Sequence, residues 1–230
     1  MMDERLNSNF TQRVVIRTHQ LPWITSPQAG VERRPLDRIG GEVARATSLV
    51  RYAPASSFSA HTHALGEEFL VLDGVFSDEH GDYPRGTYVR NPPGSCHTPR
   101  TAKGCVIMVK LRQMPMTERR RVVVDTRPSP WPAGDRPGHT RLELHSGTDG
   151  SRERVTMERL EPGAYPADAE CPGGEEIFVL TGTLTDEHGP YEAGTWIRNP
   201  PGYRRHLKSE RGAVYWRKEG HLISEIASPR

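Results

Sequence analysis

Residues Gly66 to Gly94 read GEEFLVLDGVFSDEHGDYPRGTYVRNPPG, and nearly the same string returns at Gly174 to Gly202 as GEEIFVLTGTLTDEHGPYEAGTWIRNPPG. The copies stand 108 residues apart and need no gap, which marks two copies of one folding unit. A feature present in both copies is a candidate for building the unit. A feature present in one only is a candidate for chemistry.

Short runs of β-formers alternate with turn residues in both copies. ATSLVRY at Ala46–Tyr52, CVIMVKL at Cys105–Leu111 and AVYWRKE at Ala213–Glu219 read as strands. The segments EFLVLDG, VFS and DEHGDY read as two strands joined through a glycine-containing turn. NPPG is a fixed corner, because proline offers no amide donor and restricts the residue before it. Strands at this spacing predict an all-β chain of two tandem antiparallel barrels or sandwiches, residues 1–115 and 116–230. Residues 1 to about 40 form a lead-in wrapping the first domain, with Val14–Arg17 as an edge strand. Thr117–Gly138 is a linker and second lead-in, in which Val122–Val124 is a candidate strand shared between the barrels and the basic run ERRR is a solvated face.

Composition excludes several classes. With 31 basic against 29 acidic residues, the net charge of +2 gives no field for nucleic acid. No apolar run approaches a membrane span, and the polar opening MMDERLNSNFTQR lacks the apolar region of a secretory signal, so a soluble cytoplasmic protein is expected. Cys96, Cys105 and Cys171 are odd in number and never spaced CxxC, which fits reduced structural thiols.

In the first copy only, His61 and His63 stand two apart, on one face if they lie on a strand. Glu67 follows, and His97 comes later. Three imidazoles and a carboxylate suit a divalent transition ion: zinc first, with iron, manganese or nickel as alternatives. A lone HxH is weak, but here it sits inside two longer patterns. His61, His63, Glu67 and Gly74 match the first motif of the cupins, with Ala55 in place of its leading glycine. Gly86, Pro92, Gly94 and His97 match the second, with Thr101 in place of its closing asparagine. The chain thus resembles the cupin superfamily, whose small jelly-roll barrels hold a metal inside. The resemblance implies that His61, His63, Glu67 and His97 are the ligands and that Glu68 points away from the lumen.

More narrowly, residues from about Thr47 to Gln113, and again from about Val155 to His221, resemble the cupin-like sensor domain of ChrR-type anti-sigma factors. Those proteins grip the sigma factor through a separate helical domain with a CxxC zinc site. This chain has no CxxC, so a sigma factor is not an expected partner.

In the second copy the four positions become Ala169, Cys171, Glu175 and Arg205. Arg205 can place a guanidinium where the ion would be and pair with Glu175, giving a metal-free barrel. A site of Cys171, Glu175 and His206 is the alternative, although alternation turns His206 outward. His80 and His188 recur in both copies and belong to hairpin turns. Phe69 and Val71 share the parity of Glu67 and are candidate pocket walls, while the face shared by Lys110 and Arg112 is left open.

The resulting expectation is a metal-binding bicupin of the ChrR-like type that binds or senses a small molecule or oxidant. The alternative is an iron, manganese or nickel dioxygenase cleaving a β-diketone or flavonoid-like substrate. Assembly into a homo-oligomer is compatible with either.

Overall fold

The structure is a computed structural model describing residues 5–41, 43–128, 130–147 and 151–222. Apart from the 3-10 turn Thr18–Gln20, its named elements are strands, all paired antiparallel. No helix among the described residues is long and apolar enough to cross a membrane.

In the first unit the main sheet runs, from its centre outward, through Glu67–Asp78, Cys105–Leu111, Arg45–Tyr52 and Val31–Ile39 on one side and Thr87–Asn91 on the other. Cross-strand partners share a face. The inner face therefore carries Glu67, Leu111, Ala46 and Arg38 in one row, and Val71, Ile107, Val50 and Arg33 two rows below. The outer face carries Glu68, Lys110, Thr47 and Asp37. The inner rows merge into a buried cluster with Val31, Tyr52, Phe76, Tyr83 and Val89.

The strand Glu67–Asp78 passes through Gly74, and the expected joining turn lies at Glu79 and His80. One 12-residue strand runs unbroken, with its first half in the main sheet and its second half paired to Gly81–Pro84 across the turn at Glu79 and His80. Gly74 supplies the bend between the two pairings, at φ 69° and beside a register shift. A Cβ there would lie 2.1 Å from the Gly104 carbonyl oxygen, which leaves glycine as the residue that fits. Gly182 repeats the arrangement at φ 74°.

The second unit has the same plan, with Glu175–Asp186, Ala213–Glu219, Arg154–Leu160 and His139–Ser146 in one sheet. The chain nevertheless does not divide cleanly at 115/116. Residues Asn9–Leu21 belong with the second unit, where Val14–Arg17 pairs with Thr195–Asn199. Residues 116–128 belong with the first, where Val122–Asp125 pairs with Thr87–Asn91. The two lead-in strands are themselves 108 residues apart. Each copy of the repeat thus gives its lead-in strand to the other copy's sheet. The lead-in expected to wrap the first domain does so in two pieces, at Arg5–Leu6, which pairs with Val31–Ile39, and from Pro22 onward. The three arginines of the basic run are exposed, as expected of a solvated face, although Glu118 beside them is buried and the Arg121 guanidinium donates to the Tyr83 hydroxyl at 2.6 Å.

Candidate metal centre

The four residues singled out by spacing come together. The short strands His61–Thr62 and Cys96–His97 pair so that His61 faces His97 directly. His63 follows at the strand end, where its backbone NH donates to the Ser95 carbonyl at 2.9 Å. Glu67 opens the long central strand. One donor atom from each of His61, His63, Glu67 and His97 lies within 4.8 Å of all the others. The three imidazole centroids are 4.6, 5.0 and 5.1 Å apart. His61 is exposed, and the other three are buried.

Hydrogen bonding fixes which nitrogen of each ring faces inward. His61 Nδ1 lies 3.0 Å from the Ser59 carbonyl oxygen, which can only accept. His97 Nδ1 lies 3.2 Å from Asp78 Oδ2. His63 Nδ1 lies 3.0 Å from Ser95 Oγ, whose own hydrogen is given to the Pro92 carbonyl at 2.6 Å. Each Nδ1 must therefore be the donor, and each Nε2 is left with a bare lone pair. The buried Nε2 atoms of His63 and His97 have no hydrogen-bond partner. They stand 3.5 and 3.4 Å from Glu67 Oε2. Leaving such acceptors unpaired is costly, and a cation among them removes the cost. The donor set fits a divalent ion.

The same crowding shifts the titrations. Burial, then His97 and His61, pushes His63 down to about 3. Burial also lowers His97, against the support of Asp78. Burial pushes Glu67 up to about 7, with the Asn91 side chain opposing and Asp78 reinforcing. Asn91, the asparagine of NPPG, donates to Glu67 Oε2 at 3.3 Å and so does more than make a corner.

Asp78 is the residue that sequence reasoning missed. It belongs to the DEHG turn, present in both copies, and it does cap that turn by accepting from the His80 backbone NH at 2.8 Å. It also accepts from the Tyr83 hydroxyl at 2.8 Å and holds His97. Its counterpart Asp186 repeats the turn and tyrosine contacts but supports no ligand, so the repeat comparison concealed its second role.

A cavity of about 560 Å³ opens onto the site, lined by His61, His63 and Glu67 and walled by Val50, Tyr52, Phe58, Ile107 and Val109. Phe69 and Val71 face the same interior but lie in the packed core. The open question about the last strand resolves by pairing. Lys110 turns to the outer face and donates to Thr47 Oγ1 at 2.8 Å, whereas Arg112, at φ 58° just past the strand, lines the cavity. Glu68, on the outer face, accepts from Tyr88 and Arg90.

The second unit fills the corresponding space with protein. Arg205 Nη1 lies 3.5 Å from Glu175 Oε2. The stronger partner is Arg217, which occupies the place of Val109. Its Nε donates to Glu175 at 2.7 Å, its Nη1 reaches Glu158 at 3.4 Å, and it also contacts Glu219. Burial alone would raise Glu175, but Arg217 and Arg205 hold it below the usual carboxylate range. Arg217 was legible in AVYWRKE, where a basic residue replaces the valine of CVIMVKL. Cys171 is buried and its thiol is pushed up to about 12 by burial, while His206 is exposed and pairs with Asp168 at 3.0 Å. Cys171 contacts Glu175, but with His206 turned to Asp168 the three form no metal-capable group among the described residues. Cys105 is likewise buried with its thiol pushed up to about 11.

The profile of the ChrR cupin-like domain matches residues 11–115 and again 119–223. The chain belongs to the ChrR cupin-like family. Both matches begin just before the exchanged lead-in strands. Solved structures give the same fold for the ChrR-like cupin pair. A proposed dioxygenase from Nostoc punctiforme has a TM-score of 0.76 at 14% identity, covering 96% of this chain and 88% of that one. Protein YlbA from Escherichia coli has 0.70 at 15%, covering 92% of each. A tryptophan-to-tyrosine variant of Bacillus subtilis oxalate decarboxylase has 0.62 at 12%, covering 95% and 78%. No curated protein sequence matches the chain.

Proposed function

We propose that the first unit holds a divalent metal ion, zinc in the first instance, through His61, His63, Glu67 and His97, and binds a small organic molecule in the adjoining cavity. The second unit keeps the fold and replaces the ion with the Arg217 ion-pair cluster. The observation that carries this reading is the set of three imidazoles whose Nδ1 atoms are all committed as donors, with the Nε2 lone pairs of His63 and His97 directed at the Glu67 carboxylate and a His61 nitrogen within 4.8 Å of the other donors.

When bound, a divalent ion supplies Lewis acidity toward an oxygen of the guest. The protein's own contribution is orientation and exclusion of water. Asp78, Ser95 and the Ser59 carbonyl fix the rings, Asn91 fixes Glu67, and Tyr52, Phe58 and the aliphatic walls dry the cavity. A sensor of small molecules needs no more than this. The second reading is a dioxygenase of β-diketone or flavonoid-like compounds, with iron, manganese or nickel in place of zinc. It is favoured by the contact of the cavity with three of the four ligand residues, which leaves one side of the site open to a substrate.

Elemental analysis of the purified protein beside His97→Ala tests both. One zinc per chain, lost in the variant, supports the binding or sensing site. One iron, manganese or nickel, with oxygen uptake on a diketone panel, supports the dioxygenase. No ion in either sample, and none taken up on dialysis against each metal, refutes the metal assignment.

A further inference from the structure

The two copies of the repeat each place an arginine at the same point on the inner face, Arg33 in the first and Arg141 in the second. In the second unit Arg141 stands opposite Glu158 in register and is matched by two carboxylates: Nε to Glu158 Oε1 at 3.2 Å and Nη2 to Asp135 Oδ2 at 3.0 Å. In the first unit both acids are gone. The position of Glu158 is Val50, directly opposite Arg33, and the position of Asp135 is Pro27. Among the described residues no carboxylate pairs with Arg33. It is half-buried and lines the same cavity as His61, His63 and Glu67, with Arg38 and Arg112 also on the wall. A guanidinium drawn out of water without a counter-ion is expensive, and its twin shows what this position takes when the anion is built in.

We propose that the cavity of the first unit is a site for a small organic carboxylate, with Arg33 supplying the counter-charge that Glu158 and Asp135 supply to Arg141. The anionic end lies against Arg33 in the row of Val71, Ile107 and Val50, and the apolar body runs along Tyr52, Phe58 and Val109 toward the histidines. Burial lowers the basicity of Arg33, Tyr52 opposes this, and neighbouring Arg38 lowers it further; an arriving carboxylate would reverse the shift. Arg33 is a binding residue in this scheme. The inference deepens the reading of this cavity as the guest site and rests on it.

The test is calorimetric titration of the full chain with acetate, hexanoate and phenylacetate, each beside its neutral amide, with metal content measured on the same samples. At least one carboxylate should bind tenfold or more tightly than its amide. Arg33→Gln should bring the pair within about twofold while leaving metal content unchanged, and Arg33→Lys should retain part of the preference. Val50→Glu, which rebuilds the Glu158–Arg141 pair in the first unit, should abolish it as well and guards against misfolding of the glutamine variant. Equal binding of every carboxylate and its amide overturns the proposal. So does a preference that survives Arg33→Gln but is lost in His97→Ala, since the anion would then be held by the metal. Carboxylate preference without metal leaves Arg33 standing and removes the metal reading; metal without carboxylate preference does the reverse.

Discussion

Replacing Glu67 by glutamine in the metal-free protein should stabilise it, by an amount that grows above about pH 4.5 and is complete above about pH 7. Burial raises the folded-state pKa of this carboxyl from 4.5 to about 7. A group raised in this way contributes stability that is fully present below its unfolded pKa and is lost as pH rises through its folded pKa. Wild type should therefore weaken between about pH 4.5 and pH 7. At 1.36 kcal/mol per unit, the loss is on the order of 3 kcal/mol. His63 and His97, whose pKa values are lowered, act in the opposite sense and lose stability as pH falls below 6.5. They are common to both proteins and cancel in the difference. Thermal unfolding of chelator-treated wild type and Glu67→Gln at pH 5 and pH 8 isolates the Glu67 contribution. The variant should gain about 5–10 °C over wild type on going from pH 5 to pH 8, taking roughly 2–4 °C per kcal/mol for a chain of this size. Zinc should reverse the order, stabilising wild type and leaving the variant nearly unmoved. Parallel pH profiles for the two proteins would refute the reasoning, because Glu67 would then be no more buried among competing charges than a surface acid.

Asp78→Asn should weaken metal binding about 10- to 100-fold in a chelator competition, because the amide no longer fixes His97 as an Nδ1 donor, while the Tyr83 contact can be kept. Arg217→Val should destabilise the chain by about 3–5 kcal/mol in denaturant unfolding, since Glu158 and Glu175 lose their shared cation in a buried setting. Combining Ala169→His, Cys171→His, Arg205→His and Arg217→Val should add a second ion per chain by elemental analysis; a count that stays at one would show that more than ligand identity separates the two units. Ala55 sits at φ 58°, a conformation that costs a side-chain-bearing residue roughly 1–2 kcal/mol, so Ala55→Gly should raise the denaturant midpoint slightly with no change in metal content.

Much of the site was legible in the chain because metal ligands are few, chemically distinctive and fixed in spacing by the strands that carry them. His61, His63, Glu67 and His97 needed only alternation and the cupin spacing. Ala55, which departs from that pattern, takes the positive φ that its glycine normally supplies. The supporting residues were harder to read. Asp78 and Asn91 also serve the turn and the corner that both copies share, and a residue with two roles shows only the commoner one when copies are compared. The replacement of valine by Arg217 is plain in AVYWRKE, but what Arg217 and Arg33 pair with depends on which residues face each other across four strands, and that register comes from long-range pairing. The exchange of lead-in strands was hidden for the same reason. VVIR and VVVD carry the strand signal, but nothing local states whose edge they complete.

That exchange bears on how such a chain can be taken apart. A fragment cut near residue 115 would keep the candidate metal-ligand set but carry VVIR as an unmatched strand and present Thr87–Asn91 as an open edge, and the remaining half would have the converse defect. Each fragment would hold the piece that the other lacks, so the two halves mixed together should complement one another where either alone aggregates or stays partly unfolded. The repeat is thus a clasp, in which each copy completes the sheet of the other with a strand of its own and neither half is a self-sufficient part.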